Sequence, residues 1–285
     1  MPIHPLAAVD SGATLGDDVH VGPFCIVESD VTLGDGCRLA AGAVVKSGTV
    51  MGPNNTIGEG AILGGEPQHL QCGERLGRLV IGSGNTFREH CTVHRGLEEG
   101  GATTIGDNNL LMINAHVAHD CHLGSHIILA NNTMLAGHIE VDDRAFLSGA
   151  AGVHQFCRIG TLAMVGGQAH VVKDVPPYVT IDGVTTSVVG LNVVGLRRAG
   201  FKASDLAQLK AAYRLIYRSG LRWDEMLARL EQEFPNGPAA DFLEFFRGGK
   251  RGFVQERRVP RQATIKLRPE LRIAGSDPSP HKAAG

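Results

Sequence analysis

Aromatic residues are scarce in this 285-residue chain, 5% of it with a single Trp, and no run of about 18 apolar residues occurs. The first shortage argues against a core packed around rings. The second argues against a membrane-spanning helix, so no stable membrane insertion is expected. The opening MPIHPLAAVDSG has neither the basic nor the apolar stretch of a secretory signal, and a cytoplasmic location is expected. None of the 6 Cys stands in a C-x-x-C spacing, which leaves zinc ribbons, redox pairs and disulfide frameworks without support. Glycine is the opposite case. The chain has 38, about twice the usual share, which points to tight and regular turns.

The net charge of −2 hides a split. Residues 1 to 194 carry 9 Lys and Arg against 19 Asp and Glu, whereas residues 195 to 285 carry 18 against 10. A basic C-terminal part suits an acidic protein, a nucleic acid or an anionic membrane surface; it also suits a plain solvated helical face.

Stepping by six from Ile3 gives Val9, Leu15, Val21 and Val27, and continues to Val165 and Val171. Of the 29 positions, 26 are apolar; the misses are His69, Arg75 and Glu99. A period of six fits neither a helix nor a simple alternating strand, but it fits short strands joined by tight turns in a solenoid. The misses mark two loops ejected from the repeat, near 64–80 and 94–104. Four residues after each ruler position lies a second slot that favours small residues: Ala7, Ala13 and Cys25 are examples. Five cysteines, Cys25, Cys37, Cys91, Cys121 and Cys157, fall in this slot and read as compact apolar fillers.

The ruler stops at Pro176 and Pro177. Beyond it, Ser204 can cap a helix carrying Leu206, Leu209, Tyr213, Ile216 and Tyr217, which Gly220 ends. Two more helices fit Trp223 to Phe234 and Ala239 to Phe246, and the group can cap the open end of the solenoid.

Eight of the 13 histidines lie between positions 90 and 154, and none occupies the ruler or the second slot. They therefore face outward or sit in turns. The hexads beginning at Val117, Leu135 and Val153 carry His119, His138 and His154. The six-residue pattern resembles that of the hexapeptide-repeat proteins, which implies a β-helix of eighteen residues per coil; in such a coil these hexads stack about 4.8 Å apart and form a column of imidazoles, with His116 at the corner before it. Three readings stay open on this spacing. One is a general base for acyl transfer, with Asp120 supporting His119. Another is a metal centre, as in related β-helices of the zinc-type carbonic anhydrase class. The third is a solvated polar face.

The six-residue pattern resembles the hexapeptide-repeat acyltransferases, which implies a left-handed parallel β-helix. The strings NLLMINAHVAHDC (Asn109 to Cys121), LANN, LAGH, VHQFC, DVPPYV and LIYRSG closely resemble, in order, the UDP-N-acetylglucosamine acyltransferase family of lipid A biosynthesis. The resemblance covers about residues 1 to 250. It implies a mainly β fold, with a β-helix over 1–190 and a C-terminal helical domain over 191–250. A basic tail over 251–285 follows, exceeds the pattern after about residue 255 and is expected to be mobile from about residue 260. It also implies a homotrimer that works without metal or bound cofactor.

By the same resemblance, His119 is the base and Asp120 its support, and the backbone N–H of Gly137 receives the oxyanion. Gln68, His69, His116, His138 and His154 are substrate-contacting positions, and Asn192 and Arg198 lie near the nucleotide and the carrier arm. Gly167 leaves room in the groove for a long acyl chain. The donor is an acyl chain thioesterified to the phosphopantetheine of acyl carrier protein, the acceptor is a UDP-amino-sugar, and no nucleic acid is involved. The acidity of acyl carrier proteins gives the basic C-terminal part its preferred explanation. Four positions depart from better-known members, His69, Gln71, Val194 and Ala199, which keeps a 3-amino sugar open as acceptor beside the 3-hydroxyl. A metal-dependent hydratase and a noncatalytic trimeric scaffold are the alternatives of a different class.

Overall fold

The computed structural model describes residues 3–74 and 76–257. Most hexads contribute one two-residue strand whose ruler residue points inward, and three hexads turn the chain once around. The outcome is a parallel β-helix with three flat faces. The first sheet has 9 strands, from Ala8–Val9 to His170–Val171; the second has 8, from Thr14–Leu15 to Arg158–Ile159; the third has 10, from His20–Val21 to Val188–Leu191. Pairing is parallel, so that His116 lies beside Met134 and Met134 beside Gly152. The last pair, Val179–Ile181 with Val188–Leu191, is antiparallel and closes the third sheet. Every apolar ruler residue from Val21 to Val171 is buried, whereas Ile3 at the N-terminal end is 41% exposed.

The second slot is broader than the sequence suggests. The five cysteines there are buried and free, and thiols such as Cys25 and Cys121 point at backbone carbonyls. The same slot also accepts Ile127, Ile139 and three asparagines, Asn55, Asn85 and Asn109, all buried. These asparagines form a ladder. The Asn85 N–H and side-chain amide donate to Asn55 Oδ1 at 2.8 and 3.0 Å. Asn85 Oδ1 in turn accepts the Asn109 N–H at 2.8 Å, and its amide also reaches the Gly106 carbonyl. Asn85→Ala strands several buried polar groups at once, so unfolding free energy should fall by about 3 kcal/mol. The urea midpoint measures it, and a loss below about 1 kcal/mol would remove the ladder from the account of stability.

Two excursions leave the coil at the corner between the first and second sheets. One joins Ile62–Gly65 to Arg78–Ile81 and the other joins Thr92–His94 to Ala102–Ile105. Both are narrower than the hydrophobic pattern predicts, because Arg78–Ile81 and Ala102–Ile105 pair with each other along their full four residues.

Four helices follow the coil: α1 (Val193–Arg198), α2 (Ala203–Arg218), α3 (Trp223–Glu233) and α4 (Ala240–Arg247). The first is shorter than the pattern could reveal. Ser204, the cap expected from sequence, lies inside α2; the helix starts from Lys202, whose N–H donates to Asp205 Oδ2 at 2.8 Å. The helices dock on the end of the second sheet through Arg158. Its guanidinium bonds Asp174 at 3.0 Å and the Phe245 carbonyl at 2.6 Å, and lies over the Phe245 ring. The first residues of the expected tail belong to the fold: bridges join Asp174 to Phe253 and Val188 to Glu256. The remainder of that tail lies outside the described residues.

Candidate active site

The corner between the first and second sheets gathers six histidines, His69, His94, His116, His119, His138 and His154. Residues 18 apart superpose there, and the column is Asp120, His138 and Phe156, each with positive φ (56°, 59° and 66°). A straight imidazole stack of His119, His138 and His154 is therefore not formed. His119 sits one residue earlier, beneath Gly137, and His154 is set back by two residues from the column. The His138 ring stacks on Phe156 at 4.8 Å and meets the His119 ring edge-on at 5.1 Å.

His119 is 7% exposed, and its Nδ1 lies 2.7 Å from Asp120 Oδ2. The carboxylate also accepts the Leu97 N–H at 3.2 Å, from the second excursion, while the Asp120 N–H donates to Thr103 Oγ1 at 2.8 Å. A carboxylate only accepts, so neutral His119 carries its proton on Nδ1 and leaves Nε2 free as a base. Directly above, a Cβ on Gly137 would stand 2.7 Å from His119 Cε1 and 2.8 Å from Nε2. Only glycine leaves the ring in place there. The Gly137 carbonyl accepts from Phe156 N, and its own N–H donates to no group among the described residues.

Around this pair the imidazoles divide by environment. His116 Nδ1 contacts Thr92 Oγ1 at 2.8 Å, and burial lowers the pKa of the ring. His94, 4.9 Å from His116, is pushed down to about 4, by burial first and then by the neighbouring His116 and His119 charges. Its Nδ1 is buried without a partner. His154 is exposed, and its Nδ1 donates to the Gln155 carbonyl at 3.2 Å. From the first excursion, His69 brings its ring 5.6 Å from His119, edge-on. The Gln71 N–H donates to His69 Nδ1 at 3.2 Å, so neutral His69 presents Nε2–H as a donor. Gln68, beside it, is exposed.

Ligand atoms of His119, Asp120 and His138 lie within 4.8 Å of one another, close enough to hold a metal ion. The short His119–Asp120 bond turns two of those atoms on each other, which is the arrangement of a base with its orienting carboxylate.

Three residues expected at the site lie elsewhere in the single chain. Asn192 caps α1, accepting the Gly195 N–H and donating to the Leu162 carbonyl, each at 3.0 Å. With Arg198 it lines a cavity of about 520 Å³ against the third sheet, bordered by Ile128, Phe146 and Met164. Gly167 occupies the corner between the third and first sheets, where a Cβ would touch only the Gly149 carbonyl at 3.4 Å and Ser148 at 3.9 Å. The sequence pattern does not mark Leu97, Thr103 or Phe156 as site residues. Phe156 was findable from its spacing of 18 after His138; the other two give no signal before the coil is built.

A hexapeptide coil that sets an imidazole, its carboxylate and a free backbone N–H at one corner defines the class of hexapeptide-repeat acyltransferases. Residues 12–47 and 102–137 match the bacterial transferase hexapeptide family, and residues 174–254 match the second domain of UDP-N-acetylglucosamine O-acyltransferase. An acyl-[acyl-carrier-protein]–UDP-N-acetylglucosamine O-acyltransferase of Anaeromyxobacter dehalogenans is 48% identical over 90% of this chain and 100% of its own length. The protein of the same name from Paraburkholderia phymatum is 44% identical over 89% and 99%. The solved UDP-N-acetylglucosamine acyltransferase of Francisella novicida superposes with a TM-score of 0.86 at 35% identity, covering 90% of this chain and 95% of its own. That of Bacteroides fragilis gives 0.86 at 37%, covering 89% and 100%. The chain belongs to the UDP-N-acetylglucosamine O-acyltransferase family.

Proposed function

We propose that the protein transfers a 3-hydroxyacyl chain from acyl carrier protein to the 3-hydroxyl of UDP-N-acetylglucosamine, the first step of lipid A biosynthesis. The observation that carries the chemistry is the His119–Asp120 pair beneath the Gly137 N–H. His119 Nε2 removes the proton of the sugar hydroxyl as its oxygen attacks the thioester carbonyl. The Gly137 N–H stabilises the oxyanion that forms. Collapse breaks the C–S bond, and the departing sulfur takes the proton back from the imidazolium, leaving the ester and the thiol of the carrier arm. Asp120 stabilises that imidazolium and holds the ring in the tautomer that accepts at Nε2.

His138, His154 and His116 contact the substrates along the corner, and Gln68 and His69 hold the sugar from the first excursion. The distant placement of Asn192 and Arg198 is resolved by a homotrimer in which a neighbouring subunit brings them to the corner. An outward column of Leu110, Ile128, Phe146 and Met164 on the third sheet supports such a contact, since these apolar side chains stay only half-buried even where α1 borders Ile128, Phe146 and Met164. Gly167 leaves the groove open to a long acyl chain. The names of the relatives favour an oxygen acceptor over a 3-amino group. Neither metal nor bound cofactor enters this reading. No described helix is long and apolar enough to cross a membrane, which agrees with action in the cytoplasm.

The test is acylation by the purified protein of UDP-N-acetylglucosamine and of its 3-amino analogue, with 3-hydroxyacyl carrier proteins of several lengths and metal measured on the same sample. Rapid acylation of the hydroxyl sugar by metal-free protein is the expected result. Acylation of the amino analogue alone, or activity that tracks stoichiometric zinc, would overturn it.

A further inference from the structure

The corner that carries His119 continues beyond it as a groove of about 790 Å³. Its lining begins at Asp120 and His138, passes Phe156 and Arg158, and ends at Lys250 and Arg251. The last two belong to the strap that follows α4, and this strap is fixed. The Asp174 N–H donates to the Gly252 carbonyl at 2.9 Å and the Val254 N–H to the Asp174 carbonyl at 3.0 Å. Arg251 Nε donates to the Val172 carbonyl at 3.4 Å. Neither Lys250 nor Arg251 forms an ion pair with a described residue, whereas Arg158 beneath them is already matched by Asp174 at 3.0 Å. The one carboxylate of the groove that is not paired in this way, Glu140, lies a coil below Arg158, toward the base.

Order along the corner supplies the direction. His69 approaches His119 from the coils below, on the first excursion. Asp120, His138, Phe156 and Asp174 then climb one coil at a time, so the strap stands about 14 Å above the base. Two substrates must meet at His119, and the side below is taken by the excursion proposed to hold the sugar. The side above is left for the donor.

We infer that Lys250 and Arg251 form the phosphate site for the donor's carrier arm. With the thioester carbonyl under Gly137, the arm runs up the groove past Phe156, and its phosphodiester meets the two cations at the strap. This rests on the reading of the protein as an acyl carrier-dependent transferase and adds to it the residues that anchor the arm. Phosphate oxygens accept charge-assisted hydrogen bonds from both side chain types, and Arg offers two parallel donors.

Binding decides the matter without the acceptor. Lys250→Ala with Arg251→Ala should weaken binding of the 3-hydroxyacyl carrier protein about tenfold and leave binding of the apo carrier, which lacks the arm, unchanged. Lys250 is exposed, so Lys250→Ala alone serves if the double variant folds poorly, with a smaller loss of the same selectivity. Equal weakening of both carriers would overturn the inference, because the cations would then touch the carrier's protein surface. In turnover, KM for the carrier substrate should rise about tenfold while KM for UDP-N-acetylglucosamine stays fixed. A rise confined to the sugar nucleotide would overturn it too, by giving the cations to the diphosphate. Failure of the unaltered protein to acylate UDP-N-acetylglucosamine would instead count against the proposed function, and the carrier-binding difference would still decide this site.

Discussion

His119→Ala is expected to lower kcat about a thousandfold while leaving KM for both substrates and the melting temperature nearly unchanged. The size follows from the loss of a positioned general base, whose contribution is about 10²–10⁴ in rate. Binding should survive because the substrate contacts proposed for His69, His138 and His154 do not pass through His119. The fold should survive because His119 stands in a turn: it lies outside the inward-facing ruler, and no buried ladder depends on its side chain. Asp120 keeps the Leu97 N–H in the variant, so its carboxylate is not stranded. Steady-state kinetics beside a thermal melt measure both halves. Residual kcat above about a tenth of the original would deny His119 the role of base, and a collapse of the melt would make the loss structural.

Gly137→Ala should cost about a hundredfold in kcat with little change in stability. The backbone there is not in the left-handed region, so alanine meets no conformational penalty. What it meets is the imidazole, at 2.7 Å from Cε1 and 2.8 Å from Nε2. No real Cβ tolerates that approach, and the softest response is for the ring to swing away. The swing stretches the 2.7 Å bond to Asp120 and moves Nε2 off the hydroxyl it must deprotonate. A displacement of about 1 Å is worth about a hundredfold. The N–H of residue 137 is retained, which separates this variant from a lost oxyanion donor. A kcat within about threefold of the parent would mean that the ring position is not critical.

The two variants probe what the sequence revealed least evenly. The coil itself was legible, because burial on three faces forces an apolar residue at every sixth position and no other regular structure shares that period. The helical cap was legible in outline but not at its edges. At α2 the competition between Ser204 and Asp205 to satisfy the first N–H groups is settled by geometry, and α1, six residues long, is too short to show a period. The asparagine ladder was hidden by the excursions. Asn55, Asn85 and Asn109 are separated by 30 and 24 residues, so the coil spacing appears only after the loops are taken out. The pairing of His119 with Asp120 was legible because it is local. Its anchoring by Leu97 and Thr103 was not, since those contacts depend on where the second excursion folds back and on which residue of the strand after it comes to lie beneath Asp120. Asn192, Arg198 and Gly167 rest on resemblance alone, and a single chain leaves the first two at α1 beside the third sheet and Gly167 at another corner.

Both excursions leave the coil at one corner, and that has a consequence for how such a molecule can change over generations. A residue inserted within a face would turn the side chains that follow it out of register with the coil beneath. At the corner between the first and second sheets the chain can lengthen freely, because the strands on either side still pair and the added residues cost only the slowly growing entropy of a longer loop. The same corner holds His119, the proposed base. Acceptor preference can therefore drift through the loops beside His119 while the rigid prism that positions it is inherited intact.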